Sequence, residues 1–395
     1  MWLRYGVSQD NTLVSIEDSP RGKTPLGCPY CGGELTAKKG QRKEHHFAHT
    51  LITCREVLKR SEQEIPYLPL YDNFNIWLTG KELEQLKKLW NQYGCIDKGI
   101  CTDVLNPVFL SSGLLERNEY RHYGSYQFTK LGKIPVGGLS LMLFNQVQEP
   151  LLAEKLQQLE KKVQAAYLND TPEQSECLSD LRIYRAEYRK ILSNTLYYLQ
   201  IDTDGKTFYK IGVTKRDLRE RVAEVKQDLR LHFQQVSIKV LGTWQHRGNV
   251  EKYFKYRYAG YNYPIGSLTE YYKFENQEAK AALTDLRRMK VKILSLVEAD
   301  IFAGKSSRIE QLIEEEEKAE RRSQAIKTGM QRAALWGTRI GRPDGADSDE
   351  EFLAKLSSQK VVEALNEGLS LRQAAQKAGV AVNTVRKVKA ALQGR

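Results

Sequence analysis

The chain is poor in cysteine, has no long hydrophobic run and carries fewer acidic than basic residues, and each shortage removes a class of protein. Six cysteines in 395 residues cannot build the disulfide framework of a small secreted domain. No stretch approaches the roughly 20 uninterrupted apolar residues of a membrane-spanning helix. The opening residues Met1 to Asp10 lack a basic segment followed by an apolar core and a small-residue cleavage site, so a cytoplasmic, nucleoid-associated location is expected, with no membrane partner. Asp plus Glu number 49 against 61 Lys plus Arg, which favours a polyanionic partner. The acid shortage is local as well as global: after Glu314 to Glu317, no Asp or Glu occurs between Arg321 and Pro343, while Arg321, Arg322, Lys327, Arg332, Arg339 and Arg342 all do.

A hydrophobic content of 41% supports packed cores, and at roughly 100 to 200 residues per domain the length calls for several. The expected fold is multi-domain α+β, divided at 1–60, 61–147, 148–194, 195–276, 277–345 and 346–395. In the first segment CPYCGGEL places Cys28 and Cys31 in a Cys-x-x-Cys turn, with Gly32 and Gly33 permitting the tight backbone beneath the sulfurs. The HHFAHT segment at 45–50 and Cys54 supply the other pair. Cys54 with His49 is the first choice, His46 is the competing imidazole, and His45 is read as a surface residue. Residues 25–55 resemble the amino-terminal zinc-ribbon-like part of CoiA-type competence proteins, and four protein ligands make the zinc structural, with no open position. Cys95, Cys101 and Cys177 are read as ordinary reduced thiols.

From Thr79, TGKELEQLKKLWNQYG predicts an amphipathic helix with Leu83, Leu86, Leu89 and Trp90 on one stripe, a Thr79 cap and a stop at Gly94. Two short alternating stretches then suggest a hairpin, and the whole resembles a winged helix whose Arg117, Arg121, His122 and Lys130 meet phosphate, or one used only for protein contacts. Residues 148–193 read as two helices, a spacer or the contact of a homodimer.

Residues 196–201 (LYYLQI) and 208–213 (FYKIGV), separated by TDG, predict a hairpin. A helix carrying Arg219 and Arg221 follows, then a strand VSIKVLGTW, then a helix with Glu251 in its first turn, giving β-β-α-β-α. That order with these residues resembles the GIY-YIG nuclease family, in its phage-type branch with a YKIG motif, and implies a small mixed-sheet nuclease module. Here TLY stands at 195–197 for GIY, and KIG at 210–212, preceded by Tyr209, for YIG. Lys210 thus replaces a hydroxyl, and Lys255 stands where the branch commonly has a histidine. The resemblance implies metal-dependent hydrolysis of phosphodiesters. Tyr197, preferred to Tyr198, would position or deprotonate water, with Lys210 lowering its pKa. Arg221 would meet phosphate oxygens and Glu251 would hold one divalent ion, Mg2+ or Mn2+; Arg219 is read as a surface residue. The segment TEYYKF resembles the branch's terminal Glu-aromatic-aromatic segment.

At the far end SLRQAAQKAGVAVNTVRKVKAAL reads as a helix-turn-helix broken at Gly379, with Asn383, Thr384, Arg386 and Lys387 on the recognition face. With TRIGRP at 338–343 it resembles the DNA-binding domain of serine resolvases, whose arm, here Arg339 and Arg342, lies in the minor groove. The plan as a whole is a nuclease module flanked by zinc-ribbon, winged-helix-like and helix-turn-helix modules acting on double-stranded DNA, in homing or mobile-element mobilisation first and restriction next. The alternative is a non-cleaving DNA-binding regulator or recruitment factor on a nuclease scaffold.

Overall fold

A computed structural model describes residues 3–393 apart from 41–43, 55–56, 58–65, 73, 75–77, 121–124 and 338–347. The chain divides into two compact units, Met1–Ile313 and Glu314–Arg395, with helices and three separate sheets among the described residues. None of the described helices is long and apolar enough to cross a membrane.

The first unit opens with a five-stranded antiparallel sheet in the order Leu13–Ser15, Tyr5–Val7, Gly22–Gly27, Glu34–Lys38 and His46–His49. Leu35, Ala37 and Phe47 alternate onto its buried face and pack with Leu3, Tyr5 and Ile183. Ile183 belongs to the helix Gln174–Ser193, which is tied to the sheet again where Ser179 Oγ donates to the Pro29 carbonyl at 2.6 Å and Tyr30 to Asp180 at 2.9 Å. The last residue of this helix lies two positions before the strand that carries Tyr197, so the sheet is braced against the run-in to the candidate site.

The helix Gly80–Gln92 forms where its stripe predicts, closed by a capping box between Thr79 and Glu82, and buries Leu86 and Leu89. Leu115–Arg117 pairs antiparallel with Ser125–Phe128, which also takes Ile100–Cys101 on its other edge. Arg117 and Lys130 are exposed, while Arg121 and His122 lie outside the described residues. The helices Leu141–Leu168 and Gln174–Ser193 bury Leu152, Leu156, Leu159 and Val163 against Leu181, Tyr184, Tyr188 and Ile191, so this apolar stripe is used within the chain.

The third sheet runs in the order Val236–Trp244, Thr195–Thr203, Lys206–Thr214, Tyr271–Tyr272. The expectation of a mixed sheet is corrected here, because every pairing in it is antiparallel. The reason is topological. Helix Leu218–Arg230 joins Lys206–Thr214 to Val236–Trp244 by a crossover that returns the chain in the same direction, but the strand between them separates the two parallel members. That strand is buried on both faces. Tyr197, Leu199 and Ile201 pack with Phe208, Val225 and Leu229 on one side. Leu196 and Tyr198 pack on the other with Val250, Tyr253 and Phe254, and with Leu86, Phe109, Phe128 and Phe144 from the preceding segment.

In the second unit Leu356–Asn366, Leu371–Ala378 and Val382–Gln393 are helices packed through Val361, Ala364, Ala374, Ala375, Val385 and Val388. Ser370 caps the middle helix in a capping box with Gln373, and Gly379 ends it at φ +66°, a left-handed conformation that glycine adopts without steric cost.

Candidate functional site

Two constellations of chemically active side chains stand out. In the first, Cys28, Cys31, His49 and Cys54 bring their ligand atoms within 4.8 Å of one another. The turn is built by backbone hydrogen bonds from Gly32 to the Cys28 carbonyl and from Cys28 to the Gly33 carbonyl, both 2.8 Å. The Gly33 amide reaches the Cys31 sulfur at 3.3 Å, where a Cβ at 33 would press on that sulfur at 3.3 Å, and Gly32 sits at φ +72°, so both positions favour glycine. Cys31 Sγ lies 3.3 Å from His49 Nε2. A tetrahedron with bonds of roughly 2.3 Å has edges of about 3.8 Å, so the spacing and the donor chemistry fit a structural zinc. Burial pushes the Cys28 thiol up and the Cys54 thiol up to about 12, an unfavourable crowding that a cation at the centre relieves by taking thiolates. His46 stands outside the cluster, its Nδ1 2.8 Å from the Glu44 carbonyl, and His45 faces Glu17 at 3.2 Å.

The second constellation lies where the strands Thr195–Thr203 and Lys206–Thr214 cross the start of helix Leu218–Arg230. Tyr197 pairs with Gly212 across the hairpin, and its ring lies over that glycine: a Cβ at 212 would come within 2.4 Å of the Tyr197 hydroxyl. The hydroxyl receives the Arg221 Nε–H at 3.3 Å, and Arg221 Nη1 is held by Glu224 at 2.8 Å. Tyr198 points to the opposite face, buried against Tyr209 and Phe254. Arg219 is exposed.

Lys210 does not sit on the Tyr197 phenol. It pairs with Leu199 in the strand register, and its ammonium donates to Glu270 Oε2 at 3.0 Å and lies 4.7 Å from the Tyr271 ring centre. Burial pushes the Tyr197 phenol up, and the opposing pull comes from Arg221. The expected lowering of that phenol's pKa by Lys210 is therefore corrected, because Glu270 takes up the ammonium.

Glu251, in the first turn of Val250–Arg257, lies close enough for its charge to act on Tyr197 and to feel Lys210. Burial pushes its carboxyl up, while Lys255 one turn on, at 3.5 Å, pulls it down. Lys255 also donates to Glu270 Oε1 at 2.9 Å. Against the cost of burial, Lys210 and Lys255 hold the Glu270 carboxyl down at about 2. The result is an alternating chain of charges, Lys210, Glu270, Lys255 and Glu251, beside the Tyr197 and Arg221 pair.

Residues 12–55 match the family model of the N-terminal domain of competence protein CoiA, and residues 194–287 match that of the T5orf172 domain. Together they span less than half of the chain. Searches of the curated proteins and of the solved structures give no match. The two domains are compatible with a nuclease or DNA-binding role, the second being a phage-type domain associated with nucleases.

Of the other residues singled out from sequence, Asn383, Arg386 and Lys387 are exposed on the last helix and Thr384 is half-buried, with Arg386 Nη1 3.5 Å from Asn383 Oδ1. Arg339 and Arg342 lie outside the described residues. Glu270 and Glu224 escape the sequence reading. The first is in view within TEYYKF, where it immediately precedes the strand Tyr271–Tyr272 that pairs with Lys210.

Proposed function

We propose that this protein is a DNA endonuclease that hydrolyses phosphodiester bonds with a divalent ion, in the manner of the GIY-YIG nucleases, and that appended modules direct it to its sites. The observation that carries this reading is the meeting of Tyr197 and Arg221 over Gly212, with Glu251 and Lys210 nearby, inside the segment that matches the T5orf172 domain. In-line hydrolysis needs a placed water, neutralisation of the phosphate as charge grows on it, and relief of the leaving oxygen. Tyr197, kept as a neutral phenol by burial, orients water by hydrogen bonding. Arg221, aimed by Glu224 and by the Tyr197 hydroxyl, supplies the fixed positive charge next to the phosphate oxygens. Lys210 and Lys255 add two further ammonium donors nearby.

Glu251 offers one hard oxygen donor with part of its side chain open to solvent, 17% exposed, which suits Mg2+ or Mn2+ bound through a single carboxylate, water and substrate. When bound, such an ion stabilises charge on the phosphate and leaving group. The Cys28, Cys31, His49 and Cys54 cluster holds a structural zinc in this reading. Double-stranded DNA is the partner, engaged through Asn383, Thr384, Arg386 and Lys387 and by the arm with Arg339 and Arg342; a homodimer would allow both strands to be cut. Homing or mobile-element mobilisation suits this plan first, restriction next.

The second reading, a non-cleaving DNA-binding regulator, is favoured by one observation: Glu270 and Lys255 already neutralise Lys210 and Glu251. Nicking of a pool of supercoiled plasmids decides between them. The nuclease reading expects nicked or linear product that disappears with Glu251→Ala, with Arg221→Ala and on chelation of the metal. DNA binding with no cleavage under any divalent ion would sink it.

A further inference from the structure

Lys210 presents a contradiction for a residue that is to meet DNA. Its side chain is only 5% exposed, whereas Glu270, the carboxylate paired with it, is 36% exposed and Lys255 is 40% exposed. Glu270 is thus the outer member of the Lys210 pair, and a phosphate approaching from solvent reaches the carboxylate before it reaches that ammonium. The two oxygens of Glu270 are also divided between the two lysines: Oε2 accepts from Lys210 at 3.0 Å and Oε1 from Lys255 at 2.9 Å. A phosphodiester presents the same pattern, two non-bridging oxygens on one central atom sharing one negative charge.

From this geometry we infer that Glu270 is an anion gate: its carboxylate occupies the position of a DNA phosphate between Lys210 and Lys255, and bound DNA displaces it. The inference rests on the reading of this cluster as the phosphate-binding site. Exchange of one bridging anion for another keeps both ammonium groups paired throughout, so the buried charge of Lys210 is not stranded as the substrate enters. It also makes entry selective, because only a ligand that offers two anionic oxygens at this separation replaces both hydrogen bonds. The local chain suits such movement. Glu270 lies between a tight turn, in which Ile265 and Leu268 exchange backbone hydrogen bonds around Gly266 at φ +58°, and an edge strand of only two residues. The carboxylate can therefore swing outward on its own side-chain torsions while Tyr271 and Tyr272 keep their pairing with Lys210 and Tyr209.

The test is a double-mutant cycle on the full chain, read by fluorescence anisotropy of a labelled duplex in EDTA over a salt series, so that cleavage plays no part. Glu270→Gln is expected to tighten binding about tenfold at low salt, the scale of one added hydrogen bond to a charged group. It should also steepen the salt dependence by about 0.9 for each further phosphate that the freed lysines neutralise. Glu270→Asp, which keeps the charge, is expected to show no such tightening, and thermal melting checks that each variant folds. In a Lys210→Gln background most of the tightening should vanish. Unchanged or weaker binding by folded Glu270→Gln overturns the gate, and so does an equal tightening in the Lys210→Gln background, which would mark a long-range charge effect. Plasmid nicking by the unaltered chain, measured separately, judges the nuclease reading: a gate with no nicking and nicking with no gate are different results.

Discussion

Gly212→Ala is the sharpest perturbation of the candidate site, because it adds one methyl group and touches no charged residue. The new Cβ would lie 2.4 Å from the Tyr197 hydroxyl oxygen and 2.7 Å from its ring Cζ. Ordinary contact needs about 3.5 Å, so the phenol must withdraw by about 1 Å. It has little room, since Tyr197 is 1% exposed and its ring is packed with Leu199, Phe208 and Tyr271. The Arg221 hydrogen bond, already at 3.3 Å, is the contact that such a shift breaks. Overpacking of this kind costs about 1–3 kcal/mol of stability. Misplacing a catalytic group by 1 Å costs about 100-fold in rate. Single-turnover nicking of supercoiled plasmid with Mg2+ is therefore expected to slow by about that factor, with duplex affinity unchanged. Gly205→Ala is the control: the glycine sits at φ +80° in the hairpin turn with no atom near its added Cβ, so alanine there costs stability of about 1–3 kcal/mol through strain alone. It should leave the rate of nicking by folded protein intact. If Gly212→Ala nicks within about threefold of the unaltered chain, the placement of Tyr197 by this glycine is not what the chemistry depends on.

The zinc reading expects one zinc per chain by metal analysis, lost in Cys54→Ser and retained when Cys95, Cys101 or Cys177 is changed to serine; retention in Cys54→Ser would refute the cluster. Glu251→Gln is expected to abolish nicking yet raise the melting temperature. Burial raises the folded-state pKa of this carboxyl above its unfolded value, so its stabilising contribution is complete below the unfolded pKa and is lost as pH rises through the folded one. The neutral amide avoids that loss, giving a rise near pH 7.5 and none near pH 4; a fall at neutral pH would show that Lys255 depends on the charge more than burial opposes it. Arg386→Ala and Lys387→Ala, exposed on the last helix, should each weaken DNA binding and lower its salt slope by about 0.9 for each phosphate left without its cation, without changing the melting temperature. Unaltered binding by both would remove that helix from the interface.

The elements most legible in the sequence are those whose signals are local. The hairpin around Gly205, the capped helix at Thr79 and the helices either side of Gly379 each carry their own turn residue, cap or hydrophobic period, and each forms there. The direction of pairing within the sheet is not local. Whether Val236–Trp244 lies beside Lys206–Thr214, and so parallel to it, or across Thr195–Thr203 depends on where a crossover helix returns the chain, and a strand apolar on both faces such as LYYLQI accepts neighbours on either edge.

The site divides along the same line. Tyr197, Arg221 and Glu251 each lie in a motif at the start of an element, and the structure joins Tyr197 to Arg221 directly, with Glu251 near enough for its charge to act on the phenol. Charge pairing across the sheet is not legible in that way. Two substitutions visible in the sequence, lysine at 210 and lysine at 255, look separately like losses of a hydroxyl and an imidazole. Together they bracket one carboxylate: Tyr271 pairs with Lys210 in the ladder and sets Glu270 beside it, while the turn of helix after Glu251 sets Lys255 on the other oxygen. Lys210, only 5% exposed, is a charge that must be paired, and with Lys255 on the other oxygen of Glu270 it forms a hydrogen-bonded triad. Replacing either lysine leaves Glu270 one cationic partner, whereas Lys210→Tyr with Lys255→His removes both from a carboxylate that is only 36% exposed, so the double variant should melt at a lower temperature than either single one.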